Sequence, residues 1–81
     1  MENTGQYRLL SSLKSGQSGT VSAVKAESAM RRRLLDLGLT EGTDVTCVGI
    51  SPLGDPLAFR IRGAVIALRR VDADTVHLTD G

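Results

Sequence analysis

The sequence is poor in the residues from which most active sites and recognition grooves are built. Its 81 residues hold one cysteine, one histidine, one tyrosine, one phenylalanine and no tryptophan. The lone thiol, Cys47, cannot form an internal disulfide, which points to a reducing compartment. Cys47 and His77 lie far apart in the chain and no acidic pair flanks an evident cleft, so no nucleophile with its base is legible. No glycine loop followed by Lys and Ser or Thr is present to cradle a phosphate. With so few aromatics the chain can neither line a groove for proline-rich peptides nor offer a stacking platform to unpaired bases. No segment approaches the roughly 20 apolar residues that span a bilayer. The opening Met1-Glu2-Asn3-Thr4-Gly5-Gln6 is polar and lacks the apolar core of a secretory signal. Together these absences predict a cytoplasmic protein that is not an enzyme, inserts in no membrane and carries no cofactor.

An excess of one charge is missing too. Ten basic and nine acidic residues leave a formal charge of +1, without the basic surplus that drives binding to nucleic acid. The apolar share of 41% is that of an ordinary globular fold. A chain of this length has room for one domain, so residues 1–81 are read as a single unit with a flexible stretch over residues 1–6.

What is present is mostly β pattern. Leu57, Phe59 and Ile61 alternate with Ala58, Arg60 and Arg62, a period of two with one wet face. Ile66 and Leu68 continue it. Val76 and Leu78 do the same, with Thr75, His77 and Thr79 on the solvated side. Pro52-Leu53-Gly54-Asp55-Pro56 reads as the hairpin loop between strands Val45–Ser51 and Leu57–Arg62, and Arg62-Gly63 as a tight second turn. Ser15-Gly16 and Glu41-Gly42 each precede a β-prone run, where a turn needs φ > 0 at its third position. Val21 and Val24 are three apart, which breaks strict alternation and predicts a bulge. Val71-Asp72-Ala73-Asp74 suits a single 3₁₀ turn.

One helix is expected, Ser28 to Leu37. Met30, Leu34 and Leu37 recur at i, i+4 and i+7 on one stripe. Ser28 is the expected N-cap, Gly38 the left-handed residue that ends the helix, and Leu39 the residue that folds back on Leu34. The fold class is therefore mainly β: a small, partly open barrel of about five strands. One α-helix follows the first strand and a 3₁₀ turn precedes the last.

Few side chains remain as candidates for function. Cys47 reads as a small apolar filler. Asp72 and Asp74 could offer weak carboxylates to a metal, but on a turn they serve better as backbone caps, and no metal site is assigned. The arginines are the one concentration of chemistry: the run Arg31-Arg32-Arg33 on the helix, and Arg60, Arg62, Arg69 and Arg70 on or near two strands. They suit an anionic partner, either an acidic protein surface or nucleic acid, or else they are solvated faces. At about 100° per residue Leu35 falls some 140° from Met30, so the core stripe does not need it. Arg31, Arg32 and Leu35 then form a candidate partner surface, an apolar residue between cations.

Four segments in order carry a resemblance. Leu13-Lys14-Ser15-Gly16-Gln17-Ser18-Gly19-Thr20-Val21 opens it, and Arg31-Arg32-Arg33-Leu34-Leu35-Asp36-Leu37-Gly38-Leu39-Thr40-Glu41-Gly42-Thr43 is its centre. Pro52-Leu53-Gly54-Asp55-Pro56-Leu57 follows, then Arg60-Ile61-Arg62-Gly63 leading to Ala67-Leu68-Arg69-Arg70. Together they resemble the FeoA family, with Ser15 and Glu41 standing where a proline is frequent. The resemblance implies an SH3-like barrel, iron homeostasis with transition-metal binding at the family level, and an accessory role in bacterial ferrous iron transport. Its implied partner is the FeoB membrane transporter, met on the cytoplasmic side, with room for a weak homo-oligomer. Similar domains end metal-dependent transcriptional repressors, so a repressor module is one alternative, and the arginines leave a nucleic-acid-binding barrel as another. A chain of 81 residues with its own Met favours the free-standing accessory protein. The absence of a phosphate loop or a nucleophile–base pair makes a direct prediction: the purified chain hydrolyses no GTP. Turnover that a point mutation within this chain abolishes would overturn it.

Overall fold

The computed structural model describes residues 8–79; the expected flexible stretch 1–6 lies outside the described residues. A two-residue strand β1 (Arg8–Leu9) leads into a 3₁₀ turn (Leu10–Ser12) and then β2 (Ser18–Val24). Helix α1 (Ser28–Asp36) is followed by β3 (Asp44–Ile50), β4 (Leu57–Ile61) and β5 (Ala64–Leu68). A four-residue helix α2 (Arg70–Ala73) precedes β6 (Val76–Thr79). The strands form one antiparallel sheet of six in the order β1-β6-β2-β3-β4-β5. The sheet curls around its core but does not close, and β1 and β5 are its edges.

The alternating positions behave as their period demands. Leu57, Phe59 and Ile61 are buried, as are Val45 and Cys47 across the β3–β4 ladder and Leu78 and Val76 on β6. The irregular Val21–Val24 spacing corresponds to a register shift against β6 between Val21 and Ala23, which lets both valines face inward. A second shift, between Cys47 and Gly49, bends β3. Two such bends give a short sheet the curvature that a flat one lacks.

Helix α1 ends as its sequence dictates. Gly38 takes φ +109°, its N–H bonds the Leu35 carbonyl at 2.9 Å, and the Leu39 N–H bonds the Leu34 carbonyl at 3.1 Å. These are the two bonds of a Schellman end, and the accompanying Leu39–Leu34 pair is fully buried. The turns at Gly16 and Gly42 also have positive φ, with Gln17 bonding back to Lys14 and Thr43 to Thr40. Arg62 and Gly63 are both at positive φ, the two-residue turn that matches strand twist.

Four expectations need correction. The described residues form six strands, the extra one being the two-residue β1, too short to carry a period, so α1 follows the second strand. The turn before the last strand is α-helical: Ala73 N–H bonds the Arg69 carbonyl and Asp74 N–H the Arg70 carbonyl, both i→i−4. The N-cap of α1 is Glu27, extended at φ −71° and ψ 166°, and no side chain caps it; Ser28 is already helical. His77 is half-buried, not freely solvated, because β6 lies between β1 and β2 and His77 stands opposite both Leu9 and Ala23.

A Cβ on Gly38 would meet Arg62 Cδ at 3.0 Å and Ile61 Cγ2 at 3.1 Å, besides the strain of its φ. Gly38→Val should therefore cost about 1–3 kcal/mol. Chemical denaturation measures this, and an unchanged midpoint would mean that the helix end tolerates a branched side chain.

Candidate functional site

The arginines fall into two groups once their partners are known. The Arg62 guanidinium reaches over the end of α1. Its Nη2 donates to Thr40 Oγ1 at 3.1 Å and to Thr43 Oγ1 at 3.2 Å, and its Nε approaches the Gly38 carbonyl at 3.5 Å. Arg70 joins three segments that are remote in sequence. Its Nε and Nη2 donate to the Gly54 carbonyl at 3.2 and 3.0 Å, and its Nη1 to the Ser11 carbonyl at 3.1 Å. The Arg70 backbone N–H bonds Asp55 Oδ1 at 3.0 Å, so the same loop also satisfies the first donor of α2. Arg62 and Arg70 are clamps of the fold. Their guanidinium groups bond only neutral oxygens, with no ion pair to a carboxylate among the described residues.

Arg69 makes an ion pair with Asp72 at 3.4 Å while its side chain stays 69% exposed, a geometry that adds little to stability. Arg60 is exposed on the outer face of β4 opposite Val65 and has no partner among the described residues. Arg31, Arg32 and Arg33 are all exposed on α1 and likewise unpaired among the described residues. These cations make no side-chain bond or ion pair among the described residues, which leaves them open to solvent or to a partner.

Leu35 sits differently from its expected place. It is half-buried and packs against the core alongside Met30 and Leu37. The reason is that the last turn of α1 is sunk into the sheet, with Leu34, Gly38 and Leu39 all buried and Arg62 crossing above them. Leu35 thus borders the cationic surface of α1 at the core's rim and does not stand free at its centre.

Asp72 and Asp74, the two carboxylates weighed for a metal, are engaged with the protein itself. Asp74 Oδ1 accepts a short hydrogen bond from the buried Ser11 hydroxyl, and Asp72 both pairs with Arg69 and accepts at its carbonyl from Thr75 Oγ1. Cys47 is buried, with its Sγ directed to the Gly49 carbonyl. Among the described residues no three His, Cys, Asp or Glu side chains converge. This donor set does not fit a resident metal, which needs several such ligands together. The one phenylalanine, Phe59, is fully buried and cannot stack on a ligand.

Comparison with known proteins places this architecture. A family model described as the FeoA domain matches residues 8–80. The chain belongs to the FeoA family. A curated relative is the Fe(2+) transport protein A/Fe(2+) transporter FeoB fusion protein of Porphyromonas gingivalis. It is 33% identical over 69 residues, which are 85% of this chain but only 8% of that protein. The solution structure of FeoA from Chlorobium tepidum superposes with a TM-score of 0.84 at 38% identity, covering 90% of this chain and 70% of that one. The crystal structure of Stenotrophomonas maltophilia FeoA complexed with zinc, described as a prokaryotic SH3 domain protein, gives 0.80 at 33% identity and covers 89% of both chains. A manganese-dependent transcriptional repressor superposes at 0.85 with 19% identity over 98% of this chain and 44% of its own, a likeness of fold alone. The fold is therefore SH3-like, and the family is associated with ferrous iron transport.

The division of the arginines is testable by stability alone. Arg70→Ala removes a guanidinium that serves two carbonyls and should cost about 1.5 kcal/mol, the low end for hydrogen bonds to a charged group. Arg31→Ala should stay within about ±0.5 kcal/mol. Urea denaturation of the two variants checks both, and equal costs would refute the division.

Proposed function

We propose that this chain is a cytoplasmic accessory protein of ferrous iron uptake that acts by docking on a FeoB-type transporter. Three observations support the reading. The family is associated with ferrous iron transport, and in one relative a matching segment is joined covalently to a FeoB transporter. A fused pair has a very high effective concentration of one partner for the other, an arrangement that favours contact between them. Among the described residues no helix is long and apolar enough to cross a membrane. The described side chains also offer no nucleophile–base pair, so binding is the activity that their chemistry supports.

The observation that carries the reading to particular residues is the unpaired row on α1. Arg31 and Arg32 present cations that make no side-chain bond among the described residues, and the half-buried Leu35 lies at their edge as an apolar contact. A partner surface with carboxylates around a small apolar patch is complementary to that arrangement.

The test is capture of the transporter from solubilised membranes by the tagged chain. Wild type should retain it, and the double variant Arg31→Glu/Arg32→Glu should lose it while its stability stays within about ±0.5 kcal/mol of wild type. Retention by the double variant would move the surface away from α1. Failure of the wild-type chain to capture any transporter would refute the docking role itself.

A further inference from the structure

Among the described residues, one long side of β5 has no neighbour in the sheet. The turn at Arg62-Gly63 has two residues, so Ile61 and Ala64 close the hairpin as a hydrogen-bonded pair. Bonded and non-bonded pairs then alternate along the ladder. Ile66 and Leu68 bond back to Phe59 and Leu57, whereas the N–H and C=O groups of Val65 and Ala67 point away from β4. No backbone or side-chain hydrogen bond from the described residues reaches those groups.

Exposed edges are normally blunted by a charged side chain, a proline or a bulge, because bare backbone is a template for another strand. The segment Ala64-Val65-Ile66-Ala67-Leu68 has no charge and no proline, and its register against β4 is unbroken. Val65 is 59% exposed and Ala67 is exposed as well. On the outer face beside them stand Arg60, opposite Val65, and the small Ala58, opposite Ala67.

We propose that the β5 edge is a strand-addition site for an extended segment of another protein, apolar in its middle and acidic at both ends. The charges decide the occupant. Arg60 stands on the outer face near the Ala64 end of the edge and Arg69 follows Leu68 at the other, whereas the guanidinium groups of Arg62 and Arg70 are drawn back to Thr40 and Thr43 and to Gly54 and Ser11. Arg60 bonds nothing among the described residues, and Arg69 keeps its side chain 69% exposed in its pair with Asp72, so Asp72 and Asp55 offset the cations at the Leu68 end only in part. A second copy of this chain pairing antiparallel would set the Arg60 end against the Arg69 end. Pairing parallel would set like against like. Both oppose cations, whereas carboxylates flanking an apolar strand meet them at both ends. This surface is on a different element from the α1 cations and does not depend on the transport role.

The experiment is a titration of the ¹⁵N-labelled chain with acetyl-Asp-Glu-Val-Thr-Val-Thr-Val-Glu-Asp-amide. The amides of Val65 and Ala67 should shift and gain about tenfold or more protection from hydrogen exchange at saturation. The same peptide with lysine at its acidic positions should bind about tenfold more weakly or worse. Replacing its threonines by proline, which removes the donors, should abolish binding without touching the protein. In the protein, Ala67→Pro removes the outward N–H at a position where an edge strand accepts proline, and it should abolish binding with the melting temperature retained. Shifts centred away from β5, equal binding of the lysine or proline peptides, absence of binding, or dimerisation through β5 without peptide would each overturn the proposal.

Discussion

The close approach of Gly38 to the β4–β5 turn is the constraint on which the rest of this small fold depends. A helix of nine residues is too short to be stable by itself in water, so α1 exists because its end is held. Gly38 lets the chain reverse in a left-handed conformation and lets Ile61 and Arg62 lie where a side chain would otherwise be. The reversal drops Leu39 onto Leu34 in the core and aims residues 40–43 into the turn that starts β3. Arg62 then reaches back over the junction to Thr40 and Thr43. The helix, the turn and the central hairpin are thereby one packed unit.

Arg70 performs the corresponding service at the other end of the sheet. Leu10 of the 3₁₀ turn and Ala73 of α2 are buried in the core, and a single guanidinium links that turn to the β3–β4 loop by satisfying a carbonyl from each while its backbone belongs to α2. Arginine suits this work because its planar fork offers several donors at once. Neither clamp's guanidinium forms an ion pair with a carboxylate among the described residues. The same residues that hold the protein together therefore contribute to its surface field, together with Arg31, Arg32, Arg33 and Arg60, which make no side-chain bond among the described residues.

Much of the fold was legible in the sequence. Leu57, Phe59 and Ile61 announced an inward face because neighbours two apart in a strand share a side whatever surrounds them. The helix and its end at Gly38 were equally local, and the Val21–Val24 spacing already implied the bulge. The two-residue β1 was not legible, since two residues carry no period, and neither was the 3₁₀ turn that buries Leu10. Leu35 was misplaced for a related reason. Angular position on a helix says which residues share a stripe, and it does not say how deeply the helix end is sunk into a curved sheet.

The sequence by itself determined the elements, the hydrophobic faces, the turn glycines and, through four ordered segments, the family. Each of those is set by residues within a few positions of one another. Only the tertiary structure decided what the arginines do. Ser11 and Arg70 are 59 positions apart and Thr40 and Arg62 are 22 apart, so nothing local distinguishes a clamping arginine from a free one. The open side of β5 is likewise a property of strand order, because an edge exists only once the other five strands have taken their places.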